Sequence, residues 1–291
     1  AMDASSVPAE QKVADWVGRL PLVLELLNAG MRKAGLLPRE VYGLVTSEAP
    51  LTAELDAISN RLRGSVHSGA LRGVTMAFEA AYAKMKPELQ RAARMAAHWG
   101  TEAIPLELVK AAPNGFGDAA PALVHQSWIK AASGESLGAM HRVVADFLRS
   151  KAVATDAEAA VQAVRAGWPP DITNPAHWPA AESLWAHGQA AVGYAEARGV
   201  ASDDCWKVLE DLGLLALRRG LLDRARQQYE RACKMARDRL GAEHSNTLTS
   251  TNNLALIMRA QGDLAAARKM QEEALSINRR VLGIEHPSTL D

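Results

Sequence analysis

The sequence predicts a mainly α-helical protein that ends in an α-solenoid, and three observations carry this. A stretch near the C-terminus repeats itself at a fixed 42-residue shift. The chain is rich in alanine yet holds only 3 Phe and 4 Tyr, a balance that favours helix over sheet. Ahead of the repeat, short apolar runs at helical spacing are punctuated by Pro and Gly, with one small hairpin among them.

Taken in chain order, the first half lacks the 42-residue period. Its patterns predict helices at Glu10–Val17, Leu22–Ala34, Arg39–Thr46 and Leu51–Arg61, then at Val74–Lys84 and Pro87–His98. Pro87-Glu88 suits a helix first turn, where the missing N–H costs nothing. A short helix at Leu106–Ala111 follows Pro105, and the stretch through Pro121 reads as a loop. Leu123–Ile129 and Leu137–Met140 flank a Ser133-Gly134-Glu135 turn, which predicts a β-hairpin. A helix from His141 to Arg149 closes this part. Helices, a hairpin and a closing helix make a winged-helix layout. The expected division is 1–70 as a helical subdomain, 71–150 as the winged-helix domain and 151–291 as repeats.

Leu240-Gly241-Ala242-Glu243-His244 recurs as Leu282-Gly283-Ile284-Glu285-His286, and Thr247-Leu248 recurs as Thr289-Leu290. Upstream, Leu212, Gly220, Leu222, Ala225, Glu230, Ala232 and Arg237 match Leu254, Gly262, Leu264, Ala267, Glu272, Ala274 and Arg279 at the same shift. Each unit reads as two helices. The first runs from Trp206 to Arg219 and stops at Gly220, which tolerates the left-handed geometry of a helix end. The second starts at Leu222-Asp223, with Ala225, Tyr229, Ala232 and Ala236 at helical spacing. A degenerate earlier unit is expected from Ala157 to Gly199. No polar cap follows the last linker, so the array looks truncated at Asp291.

These Gly and Ala positions resemble the tetratricopeptide repeat, and the Leu-Gly-x-Glu-His-Pro-x-Thr-Leu linker resembles that of kinesin light chains. Aligning Leu212-Gly213 and Leu254-Ala255 with the family's Leu-Gly or Leu-Ala pair implies a peptide groove on the concave face. Its lining would be Lys207, Glu210, Leu214, Leu217 and Arg218 in one unit, and Thr249, Asn252, Leu256, Arg259 and Ala260 in the next. His244 and His286 sit in the repeated linker, so a structural role is expected for them rather than metal binding.

The first half resembles the STAND ATPases of the NB-ARC branch. Gly18-Arg19-Leu20-Pro21-Leu22-Val23-Leu24 is similar to their G-x-LPLAL segment. Phe78–Ala97 followed by Ile104-Pro105-Leu106 is similar to the opening of their winged helix. Met140-His141-Arg142-Val143-Val144 is similar to their Met-His-Asp motif, with Arg142 in place of Asp. Trp178-Pro179 through Trp185-Ala186-His187 resembles the junction after which bacterial members continue into kinesin light chain-like repeats. The resemblance implies that Pro21 packs at the adenine and His141 contacts the β-phosphate of ADP in a longer parent.

No phosphate-binding loop accompanies these motifs. Gly64-Ser65-Val66-His67-Ser68-Gly69-Ala70-Leu71 has the glycine spacing but offers Ala70 and Leu71 where Lys and Ser/Thr are needed. Gly115-Phe116-Gly117 lacks a preceding strand. The chain is therefore expected not to be an enzyme and to hold no cofactor itself, with ATP or ADP bound by a nucleotide-binding domain absent from it. The balance of 33 Lys+Arg against 33 Asp+Glu removes the broad positive field that nucleic acid and acidic membranes attract. Cys205 and Cys233 are the only cysteines, so neither a disulfide scaffold nor a zinc site is expected. The N-terminus lacks a signal peptide's basic-then-apolar order and no apolar run reaches spanning length, which predicts a cytoplasmic protein. Three functions fit: part of a STAND signalling ATPase whose repeats bind a protein, a stand-alone repeat adaptor, or a DNA-binding regulator. Neutral charge disfavours the last.

Overall fold

A computed structural model of the 291-residue chain describes residues 75, 78–132 and 134–281. The four helices expected between Glu10 and Arg61, the whole 1–70 subdomain, Pro21, and the last linker with His286 lie outside the described residues. The chain divides into two compact units, Ala1–Ala160 and Val161–Asp291.

In the first unit, residues 78–83 are helical and lead into α1 (Pro87–Ala96), with Pro87 in its first turn. Then come β1 (Ile104–Pro105), α2 (Leu106–Ala111), α3 (Phe116–His125), β2 (Lys130–Ala131), β3 (Ser136–Ala139) and α4 (Arg142–Lys151). The strands form an antiparallel sheet of order β1-β3-β2, with Ile104 opposite Gly138 and Lys130 opposite Ala139. Gly138 makes this pairing possible. Its φ is +131°, and a Cβ there would stand 2.1 Å from the Lys130 carbonyl oxygen. The core is aromatic: Phe78 and Tyr82 meet Phe147 at ring-centroid distances of 5.3 and 5.9 Å, and Trp99 meets Phe116 edge-on at 5.1 Å.

Two expectations change here. The loop predicted through Pro121 is in fact α3, which carries Pro121 inside it. Phe116, Ala120 and Leu123 make a buried stripe at helical spacing, and that burial outweighs the one backbone bond the proline removes. The hairpin exists, but its first strand is only Lys130–Ala131. Leu123 to His125 belong to α3, and Ser127, at φ +61°, turns the chain before Trp128 and Ile129 enter the core.

The two compact units meet at Ala160/Val161, inside α5 (Ala154–Gly167). The start of α5 is bound to the first unit: Asp156 accepts from Arg94 Nε at 2.7 Å, and the Ala160 carbonyl accepts from Trp99 Nε1 at 3.1 Å.

The second unit continues through a 3₁₀ turn (Pro175–His177) and α6 (Trp178–Ala197), then α7 (Asp203–Arg218), α8 (Leu222–Leu240), α9 (Ser245–Ala260) and α10 (Leu264–Val281). The 42-residue period returns as repeated hydrogen bonds. Leu221 N–H donates to the Ala216 carbonyl, as Asp263 N–H does to Met258. Gly220 and Gly262, at φ +72° and +88°, make the left-handed exits that these bonds need. The first helix begins at Asp203, earlier than the expected Trp206, because Ser202 Oγ caps it by accepting from Cys205 N–H at 3.2 Å. Ala216, Ala225, Tyr229, Leu254, Ile257, Met258 and Ala267 form a buried cluster, with Leu217 packed partly against it. Among the described residues, no helix is long and apolar enough to cross a membrane.

Candidate peptide-binding groove

The expected groove residues lie on α7 and α9, the first helices of two successive units. Leu212 and Leu254 are buried, so one side of each helix faces the core. Residues half a turn away carry the candidate face. Arg218, Thr249, Asn252, Leu256, Arg259 and Ala260 are exposed, while Lys207, Leu214 and Leu217 are half-buried. Leu256 is 39% exposed, less than Leu221 and Leu264, and Leu214 holds the position of Leu256 one repeat earlier. Leu217 differs from the expectation, since part of its surface is spent on the interhelical core.

Glu210 departs further. It is buried, and its carboxylate joins the two repeats instead of facing a ligand. Trp206 Nε1–H donates to Ser250 Oγ at 2.8 Å, Ser250 O–H donates to Glu210 Oε1 at 2.6 Å, and Asn253 Nδ2–H donates to Glu210 Oε2 at 2.8 Å. The reason is local: α9 places Ser250 and Asn253 over this position, whereas Asn252, the residue 42 further on, is exposed. Burial pushes the Glu210 carboxyl above its ordinary range, against the pull of the Ser250 and Asn253 bonds.

Asp211 and Asn253, absent from the sequence-based set, stand on this face at equivalent positions of the two units. Asp211 Oδ1 lies 3.9 Å from Lys207 Nζ, and Oδ2 lies 3.5 Å from Arg165 Nη1. Burial raises its carboxyl as well, opposed by those two cations. Helical spacing admits both Glu210 and Asp211, at i+3 and i+4 from Lys207, so it could have added Asp211 to the set but could not choose between them.

The capping histidines behave alike. His244 Nδ1 accepts from Asn246 N–H at 3.2 Å at the start of α9, which is the structural role expected. His141 Nδ1 accepts from Val143 N–H at 3.2 Å at the start of α4. With Nδ1 as acceptor, a neutral ring carries its proton on Nε2. Among the described residues, no group of three or more His, Cys, Asp or Glu could hold a metal ion.

Residues 207–246 and 247–288 each match the family model described as tetratricopeptide repeat. No curated protein matches the chain. A solved structure of a kinesin light chain from Podosopora anserina, with nearly identical TPR-like repeats, is 14% identical. The alignment covers 80% of this chain and 99% of that one, and the TM-score of 0.29 is too low to bear on the fold. The chain carries two tetratricopeptide repeats, with α7 and α9 as their first helices and α8 and α10 as their second.

Proposed function

We propose that the repeats capture a protein segment on the α7–α9 face. The observation that carries this is Leu256, an exposed leucine in line with Leu214 and flanked by Asn252 and Arg259. A partner's apolar side chain that covers Leu214 and Leu256 removes their surface from water. Asn252 and Arg259 supply hydrogen bonds to a peptide backbone or carboxylate. Replacing both by Ala should weaken partner capture and leave the thermal midpoint within a few degrees, since surface changes cost under about 0.5 kcal/mol. Equal recovery of the same partners with the double variant would mean that the array is a spacer.

For the first half, the reading is an NB-ARC-type winged helix that restrains a nucleotide-binding domain. Its support is the element order, helix–strand–helix–helix–hairpin, with sheet order β1-β3-β2. The DNA-binding alternative needs cations on the helix before the hairpin. That helix, α3, carries Asp118 and no Lys or Arg. In a parent with an upstream nucleotide domain, His141→Ala should raise basal signalling by removing an off-state contact of about 1.5–3 kcal/mol. Unchanged ADP retention and output would return the chain to a stand-alone adaptor, which shares the groove but has no nucleotide link.

A further inference from the structure

Each repeat sets the turn between its two helices against the helix that precedes it, and the two junctions differ in chemistry. In the later one, between α8 and the α9–α10 turn, Gln261 Nε2–H donates to Asp223 Oδ1 at 2.8 Å, and Gln261 Oε1 accepts from Arg226 Nη1 at 3.2 Å. In the earlier one, Arg219 stands 42 residues before Gln261 and pairs with Glu182 on α6 at 2.9 Å. Its guanidinium also lies over the Trp178 ring, 5.4 Å from the centroid. Trp178, Glu182 and Trp185 follow an i, i+4, i+7 course on one face of α6. Arg224, from the first turn of α8, lies over the Trp185 ring at 5.8 Å. Between the two arginines in sequence, Leu221 is 43% exposed. At a shift of 42, Leu221 becomes Asp263 and Arg224 becomes Ala266. The same turn forms there, with Asp263 N–H on the Met258 carbonyl, so the repeat requires neither the leucine nor the arginine.

The patch is held in place from below. Trp178 Nε1–H donates to the Ile172 carbonyl at 3.0 Å, and Trp185 packs partly on the core cluster of α7, α8 and α9. Leu221 N–H donates to the Ala216 carbonyl at 2.8 Å, which fixes the backbone that carries the exposed side chain. Glu182 neutralises Arg219, and Asp223 is engaged by Gln261. Among the described residues, the contact of Arg224 is with a ring and not with a carboxylate. The patch thus carries one uncompensated positive charge. A guanidinium laid over an aromatic ring keeps its N–H edge free for a carboxylate, and tryptophan and arginine are the residues enriched at binding hot spots.

We propose that Trp185, Leu221 and Arg224, backed by Trp178 and Arg219, form a second docking surface, whose occupant is a protein segment carrying an aliphatic side chain next to a carboxylate. The aliphatic group covers Leu221 and the edge of Trp185, and the carboxylate pairs with Arg224. This surface shares no residue with the α7–α9 groove and does not depend on it.

The test uses the ¹⁵N-labelled full chain and three capped tetrapeptides as probes, Glu-Leu-Glu-Leu, Lys-Leu-Lys-Leu and Glu-Ser-Glu-Ser. The readout is the indole N–H resonances, with that of Trp185 assigned by its loss in Trp185→Phe. Glu-Leu-Glu-Leu should shift the Trp185 indole saturably, and the other two peptides should not. Leu221→Asp and Arg224→Ala install the residues that the second repeat carries at these places. Each should weaken the peptide about tenfold, the worth of one covered leucine or one charged hydrogen bond. The groove variant Asn252→Ala/Arg259→Ala should bind it as wild type does, so loss of the groove and loss of this surface are read separately. No saturable shift at millimolar peptide overturns the proposal, as do equal shifts by the lysine or serine peptide. Undiminished binding by a folded Leu221→Asp or Arg224→Ala overturns it too. If neither variant folds, the three peptides on the wild-type chain decide.

Discussion

Substituting Gly213 by Ala sets two known effects against each other on α7. Gly213 lies inside α7, and a Cβ built there would stand 2.9 Å from Tyr229 Cε2 and Cζ and 3.1 Å from Cδ2. Tyr229 is only 2% exposed and belongs to the core between α7, α8 and α9, so the ring cannot swing clear. Helix propensity alone would stabilise the alanine variant by about 1 kcal/mol. Overpacking a filled core costs about 1–3 kcal/mol, so the net is a loss of about 0–2 kcal/mol. At about 2–4 °C per kcal/mol, the midpoint falls by up to several degrees. The second repeat supports the reasoning. It carries Ala255 at the same position, and opposite it, in place of Tyr229, the exposed Gln271. The assay is urea unfolding of Gly213→Ala, Tyr229→Leu and the pair. In the Tyr229→Leu background the alanine should become stabilising, giving a coupling of about 1–3 kcal/mol. If Gly213→Ala stabilises equally in both backgrounds, the ring is not what requires the glycine.

Three further outcomes follow from contacts already described. His244→Ala removes the acceptor for Asn246 N–H and should cost about 1 kcal/mol, typical of a lost helix cap, read as an earlier urea midpoint. Gly138→Ala drives a Cβ into the Lys130 carbonyl at positive φ; the expected loss is about 3 kcal/mol or more, with hydrogen exchange quickening first in β2 and β3. Burial raises the carboxyls of both Glu210 and Asp211, so the folded repeats bind protons more tightly than the unfolded chain does. Their contribution is present below the ordinary carboxylate range and is lost as pH rises through the raised values. Thermal midpoints from about pH 4 to 8 should therefore fall less steeply in Glu210→Gln/Asp211→Asn than in wild type.

The repeats were legible because helix periodicity and the 42-residue period reinforce each other. Gly220 and Gly262 mark identical turns, and Leu212 and Leu254 mark identical buried faces. The first unit was harder to read. Its sheet rests on strands as short as two residues, too brief for alternation to show, and Pro121 signalled a loop where a buried stripe sustains a helix. For the candidate groove, the sequence alone assigned the face to the first helices of the repeats, and Leu256, Asn252 and Arg259 are exposed on α9. The fate of Glu210 was beyond its reach. Glu210 and Asn252 hold the same place in the repeat, yet one is buried and the other exposed. Local pattern assigns both to one role. Only the packing of α9 over α7 sets Ser250 and Asn253 against the first carboxylate, and a contact across some 40 residues leaves no trace in the periodicity of either helix.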